Sequence, residues 1–251
     1  MASISFAPKG VDRILVRPAK FNDIPKMAFT AFTGYAGSPL DRFLSPLRQG
    51  YPEDALQSWY HRMVLRWVDP RMISVVACLT SNPEKVVGYA QLCRVGNDEG
   101  AKRQIASRKT AWLSVLAWYY TIKFKIVGYL WPDRSVNPTA EKQFSAWSRI
   151  DDETHWNPYP ERKNRWHLRS IVVSPEWRGK GIGTQLMKEV LDRARKEGVI
   201  VGLEASADGE HLYRKLGFEL LSRFYYDERS SIASPNEGGV MMWKPDKAKD
   251  S

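Results

Sequence analysis

The chain has 251 residues, enough to bury a sizeable core, with 43% hydrophobic and 26% charged residues, an ordinary globular balance. Its only cysteines are Cys78 and Cys93, which excludes a disulfide scaffold and a four-thiolate zinc site and fits a reducing compartment. The formal charge of +10 favours an anionic partner, whether nucleic acid, a membrane surface or a phosphorylated small molecule, without choosing among them.

In chain order, residues 14–18 (Ile-Leu-Val-Arg-Pro) read as a strand stopped by proline. Asn22 or Asp23 then stands as an N-cap, with Pro25 in the first turn and Met27, Ala28, Ala31 and Phe32 as the apolar stripe of a helix. Loops containing Pro and Gly follow. Residues 52–67 carry a second helical pattern, with Leu56, Trp59, Tyr60, Met63, Val64 and Trp67 on one side, and Asp69-Pro70 ends it. Residues 72–79 and 86–95 are apolar and β-branched around the turn residues Ser81-Asn82-Pro83-Glu84, the pattern of a hairpin.

The rhythm breaks over residues 96–165, too long for a bare loop and so expected to be a lid or inserted subdomain. Its basic cluster, Lys102, Arg103, Arg108 and Lys109, reads as a solvated loop. Residues 111–131 approach the roughly 20 needed to span a bilayer. Lys123 and Lys125 would be costly in lipid, and the uninterrupted apolar part, 111–122, is short. The segment is therefore expected to be a buried or pocket-lining helix, with no membrane contact. Trp112, Trp118, Tyr119, Tyr120 and Trp131 would crowd toward an acceptor pocket or pack a lid. With no apolar leader and no lipidation signal, the expected location is the cytoplasm, the nucleus being the alternative.

From residue 166 the pattern sharpens. Trp166–Val173 is a strand, followed by Ser174-Pro175-Glu176-Trp177 and the run Arg178-Gly179-Lys180-Gly181-Ile182-Gly183. Residues 184–197 form a helix with Met187, Val190, Leu191 and Ala194 as its stripe, Glu189/Arg193 and Asp192/Lys196 as i,i+4 pairs, and Gly198 as its cap. A strand over 199–205, a helix over 208–216 closed by Gly217, and strands over 218–226 and 239–244 complete an α+β chain with a mixed sheet.

A strand running through glycines into a helix builds an anion site, because the first helical N–H groups lack intrahelical partners. Arg178 and Lys180 would add positive charge. The spacing is not that of a Walker loop. A dinucleotide fingerprint would want a small residue where Thr184 stands, although Glu204 lies about 20 residues on, where a ribose-binding acid belongs.

Arg178-x-x-Gly181-x-Gly183, after an apolar strand and opening an amphipathic helix, resembles the acetyl-coenzyme A signature of the GNAT acetyltransferase superfamily, and Tyr213 four residues before Gly217-Phe218 is similar to that family's second motif. The specific match covers about residues 166–224. The resemblance implies a GNAT-like acyl-CoA N-acyltransferase fold over residues 11–245 as a single domain, with the insertion at about 96–165 between the third and fourth strands. It implies that backbone groups of Ile171, Val172 and Val173 pair with the pantetheine arm. Amides of Arg178, Gly179, Lys180, Gly181, Ile182, Gly183 and Thr184 would bind the pyrophosphate, and Tyr213 would protonate the departing thiolate. The backbone N–H of Val173 fits the family's oxyanion contact.

A base is expected at His167, with Glu204 the second candidate. Strict alternation puts His167, Arg169, Ile171 and Val173 on one face of the strand. His155 and His211 show no ligand spacing, so no metal is expected. The expected activity is transfer of an acetyl group from acetyl-CoA, the acyl-donor substrate, to the primary amine of a small molecule by direct attack in a ternary complex. The chain would work as a monomer or homodimer without nucleic acid or membrane. The alternatives within the enzyme class are a protein or histone acetyltransferase and an O-acyltransferase; outside it, a non-catalytic acyl-CoA-binding module.

Overall fold

In the computed structural model, residues 13–224 and 238–245 are described. The hairpin forms as its sequence directs, from β2 (Met72–Leu79) and β3 (Val86–Val95), and β1 (Ile14–Pro18) flanks it. With β4 (Arg165–Val173), β5 (Ile200–Ala205), β6 (Glu219–Ser222) and β7 (Gly239–Trp243) it makes one seven-stranded sheet in the order β1-β2-β3-β4-β5-β7-β6. Neighbours are antiparallel except β4 and β5, whose parallel pairing requires a crossover. Helix α7 (Ile182–Glu197) supplies it. Of the strand expected over 218–226, β6 takes the middle; residues 225 and 226 lie outside the described part.

Helix α7 covers one face of the sheet. Its buried Leu186, Met187, Val190, Leu191 and Ala194 pack on Trp166, Leu168, Val201 and Leu203, each large side chain contributing about 1.5–3 kcal/mol. On its wet side Asp192 takes Arg195 at 2.8 Å, in place of the i,i+4 pairs Glu189/Arg193 and Asp192/Lys196 expected from spacing.

Helices α1 (Ile24–Gly34) and α3 (Pro52–Val68) cover the opposite face, setting Ile24, Met27, Ala28, Met63 and Val64 on Val76, Tyr89 and Val172. Asp23 precedes α1 but does not cap it. Its carboxylate instead accepts the Lys20 amide at 2.7 Å and pairs with Arg17 at 2.7 Å. Between these helices, α2 (Pro39–Leu44) replaces part of the expected loop, because Ser38 Oγ accepts the Asp41 amide and Pro39 presets the first turn.

The insertion lies between β3 and β4, as expected, and it is helical: α4 (Glu99–Arg108), α5 (Ala111–Leu130) and α6 (Pro138–Asp151), then a π-helical turn over Asp152–Trp156. Asp98, Thr110 and Asn137 cap the three helices with side-chain oxygens. Lys102, Arg103 and Arg108 thus belong to a helix rather than a solvated loop. The reading of 111–122 as buried or pocket-lining is also corrected. Leu113 alone is buried on α5, and Trp112, Trp118 and Trp131 are 68%, 66% and 70% exposed. The helix is apolar around its whole circumference, yet only one side meets α3. The insertion ends by driving Trp156, fully buried, onto β5, where a side chain at Gly202 would begin 2.5 Å from its ring. Helix α8 (Ala207–Lys215) joins β5 to β6.

Candidate active site

The pairing of β4 with β5 runs only from Arg165/Ile200 to Leu168/Leu203, and past it the two strands diverge. The cause lies in β4. Gln91 pairs with Ser170 and Leu92 with Leu168, so Arg169 is an extra residue, a β-bulge. The bulge resets the alternation. Ile171 and Val173 turn toward α7 with Trp166 and Leu168, while Val172 joins the α1 and α3 side. The expectation that Ile171 and Val173 share a face with His167 is therefore overturned by one inserted residue. Beyond Leu168, the backbone of Ile171, Val172 and Val173 has no strand neighbour on its β5 side among the described residues.

At the mouth of this opening the glycine run makes its turn. Gly179 and Gly181 have φ of 74° and 75°, values that side-chain-bearing residues adopt only at a cost, and a side chain at either would project into open space. Gly181 precedes the first residue of α7 and offers no side-chain cap. The first intrahelical bond is Gln185 N–H to Gly181 O at 3.1 Å, which leaves the amides of Ile182, Gly183 and Thr184 without helical partners. Lys180 Nζ sits 4.3 Å over the Trp177 ring. Arg178 donates to Gly34 O at 2.5 Å and to Val173 O at 3.3 Å, so its guanidinium ties α1 to the loop.

Where the strands part, His167 and Glu204 meet with Nε2 and Oε2 2.9 Å apart. His167 is fully buried; the Glu204 side chain is 36% exposed. Arg165 Nε–H points at His167 Nδ1 at 3.3 Å, so Nδ1 is the acceptor and the ring proton sits on Nε2, donating to Glu204. Burial works to raise the Glu204 pKa, but the hydrogen bond from His167 and the charges of Arg169 and Arg165 outweigh it and hold the carboxyl below its ordinary value.

Asp151, at the end of α6, is 6% exposed, and its carboxylate forms no hydrogen bond or ion pair among the described residues. Burial, the charge of Glu204 and that of Asp152 push its pKa up to about 6. Tyr213 projects from α8 and is 5% exposed, its ring 5.6 Å from Phe218. Burial, and the neighbourhood of Tyr35 and Glu204, raise its hydroxyl pKa. Ser170 Oγ bridges Tyr35 Oη at 3.0 Å and Tyr89 Oη at 2.8 Å. Around them stand Arg62, Arg66 and Arg169, none of which has a carboxylate ion-pair partner among the described residues. Arg66 donates to Gln91 Oε1 at 2.9 Å, and burial with the charges of Arg62 and Arg169 lowers its pKa to about 10. A hollow of about 440 Å³ opens beside this region, lined in part by Asp152, Lys163, Arg165 and Arg169.

The structure thus pairs His167 with Glu204 where β4 and β5 part, and sets Tyr213, buried in the α7 core cluster, near enough to Glu204 to feel its charge. Sequence reading missed Asp151, Arg165 and Ser170. The alternation of Arg165 with His167 was a readable signal; for Asp151 there was none. Among the described residues, no three His, Cys, Asp or Glu side chains gather as for a metal, and no helix is long and apolar enough to cross a membrane.

The model of the Acetyltransferase (GNAT) family matches residues 40–218. An acetyltransferase of Stachybotrys chartarum is 25% identical over 212 residues, 84% of this chain and 82% of that protein. The N-alpha-acetyltransferase RimI of Mycobacterium tuberculosis is 41% identical over 66 residues, a match spanning 24% of this chain and 40% of that relative. Among solved structures, a protein described as histone acetyltransferase HPA2 and related acetyltransferase from Corynebacterium glutamicum superposes with a TM-score of 0.58 at 18% identity, over 95% of this chain and 99% of that one, a likeness of fold. With a family match across most of its length and the family's glycine turn at the opening of its split sheet, the chain belongs to the Acetyltransferase (GNAT) family and is an acetyl-CoA-binding acetyltransferase.

Proposed function

We propose that the chain moves the acetyl group of acetyl-CoA to the primary amine of a small molecule by direct attack, with residues 11–245 acting as one catalytic domain in the cytoplasm. The observation that carries this reading is Glu204, hydrogen-bonded to His167 where the strands part, together with the unpartnered, buried carboxylate of Asp151, close enough to Glu204 to feel its charge. Two carboxylates in one partly desolvated place favour a cationic ligand, and attack requires that this ligand lose a proton.

In this reading the unpaired edge of Ile171–Val173 takes the pantetheine arm, and the amides from Arg178 to Thr184 take the pyrophosphate. Glu204 holds the ammonium. Asp151 accepts one of its protons, because a carboxyl with a pKa near 6 is the stronger base of the two. The amine nitrogen then bonds to the acetyl carbon, the Val173 N–H receives the oxyanion, the carbon–sulfur bond breaks as Tyr213 gives its proton to the thiolate, and the second proton of the nitrogen passes to the phenolate, leaving a neutral amide and a restored tyrosine hydroxyl. His167 has no free lone pair and acts as a positioning residue for Glu204. Arg62, Arg66 and Arg169, gathered without carboxylate partners, favour an acceptor that carries an anionic group beside its amine.

The test is a thermal-shift titration with acetyl-CoA, NAD and ATP, followed by thiol-release assays on paired amines with and without a carboxylate. Acetyl-CoA alone should stabilise the fold, by about 2.7 kcal/mol at a hundredfold excess over Kd. Tyr213→Phe should keep that shift and lose turnover. Stabilisation by NAD alone, or no turnover on any amine, sinks the reading.

A further inference from the structure

We propose that α5 is a peripheral membrane-binding helix whose outer face lies in the interface of an anionic lipid bilayer. The proposal rests on no step of acetyl transfer. The inner side of α5 is already taken. Tyr120 lies 6.3 Å from Phe21, Phe124 stacks on His61 at 3.9 Å, and both pack on the cluster of α1 and α3. The remaining circumference presents Trp112, Val115, Trp118, Tyr119, Ile126 and Tyr129, every one exposed and Tyr129 by 86%. Folded soluble domains rarely leave a contiguous apolar surface of that extent to water. A water-facing helix side would carry charges of both signs; α5 carries Lys123, Lys125 and no acid.

Charge selects what covers this face. Residues 100–132 contain six basic side chains and no acidic one. Glu99 engages Lys102 at 2.7 Å, and Arg108 is spent on the backbone carbonyls of Trp67 and Met72. Arg103, Lys109, Lys123 and Lys125 remain exposed with no ion pair among the described residues. A second copy of the chain laid on this face would set these cations against their own equivalents, whereas anionic headgroups neutralise them. Trp and Tyr favour the depth of the headgroups, and lysine stems reach past an apolar face to keep their ammonium groups wet. Because α5 is fastened along α3, it lies in the plane of the surface. This revises the expectation of no membrane contact, which rested on the cost of lysines in a spanning helix.

Co-sedimentation of the full chain with vesicles tests the assignment, using phosphatidylcholine alone and phosphatidylcholine with phosphatidylserine in equal parts. The chain should pellet with the mixed vesicles, release as salt rises and stay in solution with phosphatidylcholine alone. The triple variant Trp112→Ser, Trp118→Ser, Tyr129→Ser and the double variant Lys123→Gln, Lys125→Gln should each bind about tenfold or more weakly while keeping the thermal shift with acetyl-CoA. Capture absent at low salt, equal capture by both vesicle types, or capture unaffected by either variant overturns the proposal. So does a dimer in sedimentation velocity that the triple variant dissociates and vesicles leave unbound, which would assign the face to a second copy.

Discussion

Arg165, His167 and Glu204 form a line of hydrogen bonds in which every proton has an assigned place, and that assignment decides what each group can do. Both nitrogens of His167 are engaged, so in the proposed reaction proton acceptance falls to the carboxylates. Asp151 is the residue on which this depends. Its pKa is raised from 3.8 to about 6, so the folded chain binds its proton more tightly than the unfolded chain does. Stability therefore falls as pH rises from about 4 to about 6, and above that range the ionised, buried carboxylate costs about 2–3 kcal/mol. Asp151→Asn should accordingly melt higher than the parent at neutral pH, with the difference vanishing near pH 4. In the same variant kcat/KM for the amine should drop, and the acid limb of its pH profile near pH 6 should disappear. A limb that persists would place the base elsewhere. Neither the isolation nor most of the raised pKa of Asp151 was legible in sequence, because the burial and the Glu204 charge behind them come from residues distant along the chain, and only the charge of Asp152 is local.

At the scale of elements, α7 and its glycine turn were legible almost completely. The amphipathic stripe, the αL cap at Gly198 and the three glycines at alternate positions are local signals. The turn also offers a controlled comparison. Gly181→Ala and Gly198→Ala each force a side chain into left-handed backbone, with φ of 75° and 65° and open space around both, at about 1–2 kcal/mol. Calorimetric titration should show weaker acetyl-CoA binding for Gly181→Ala and unchanged binding for Gly198→Ala, since only the first lies among the amides proposed to hold the pyrophosphate. Equal loss in both would mean that general destabilisation, not the anion site, is being read. The bulge at Arg169 was illegible. Alternation across WHLRSIVV looks uninterrupted, and only the pairing with β3 shows one residue too many.

For the molecule as a whole, the insertion is what completes the site. It crosses from β3 to β4 and returns through Trp156, which packs edge-on to His167 at 5.6 Å, lies under Arg165 at 4.4 Å and closes over Gly202. Trp156→Ala should cost about 3–5 kcal/mol in urea unfolding, through a cavity beside β5. It should also raise KM for the amine far more than Kd for acetyl-CoA, because it loosens the insertion side of the site and not the glycine turn. Parallel losses in both would show that the tryptophan supports the sheet alone.

Sequence by itself determined the hairpin, the crossover helix, the glycine turn and the tyrosine motif, and with them the family, because each is written in contiguous residues whose period or backbone demand is local. Only the tertiary structure decided the facing of β4, the isolation of Asp151 and the exposure of α5. A bulge depends on the partner strand's register, a pKa on charges brought from other elements, and a helix apolar all round on how much of it the rest of the chain can cover.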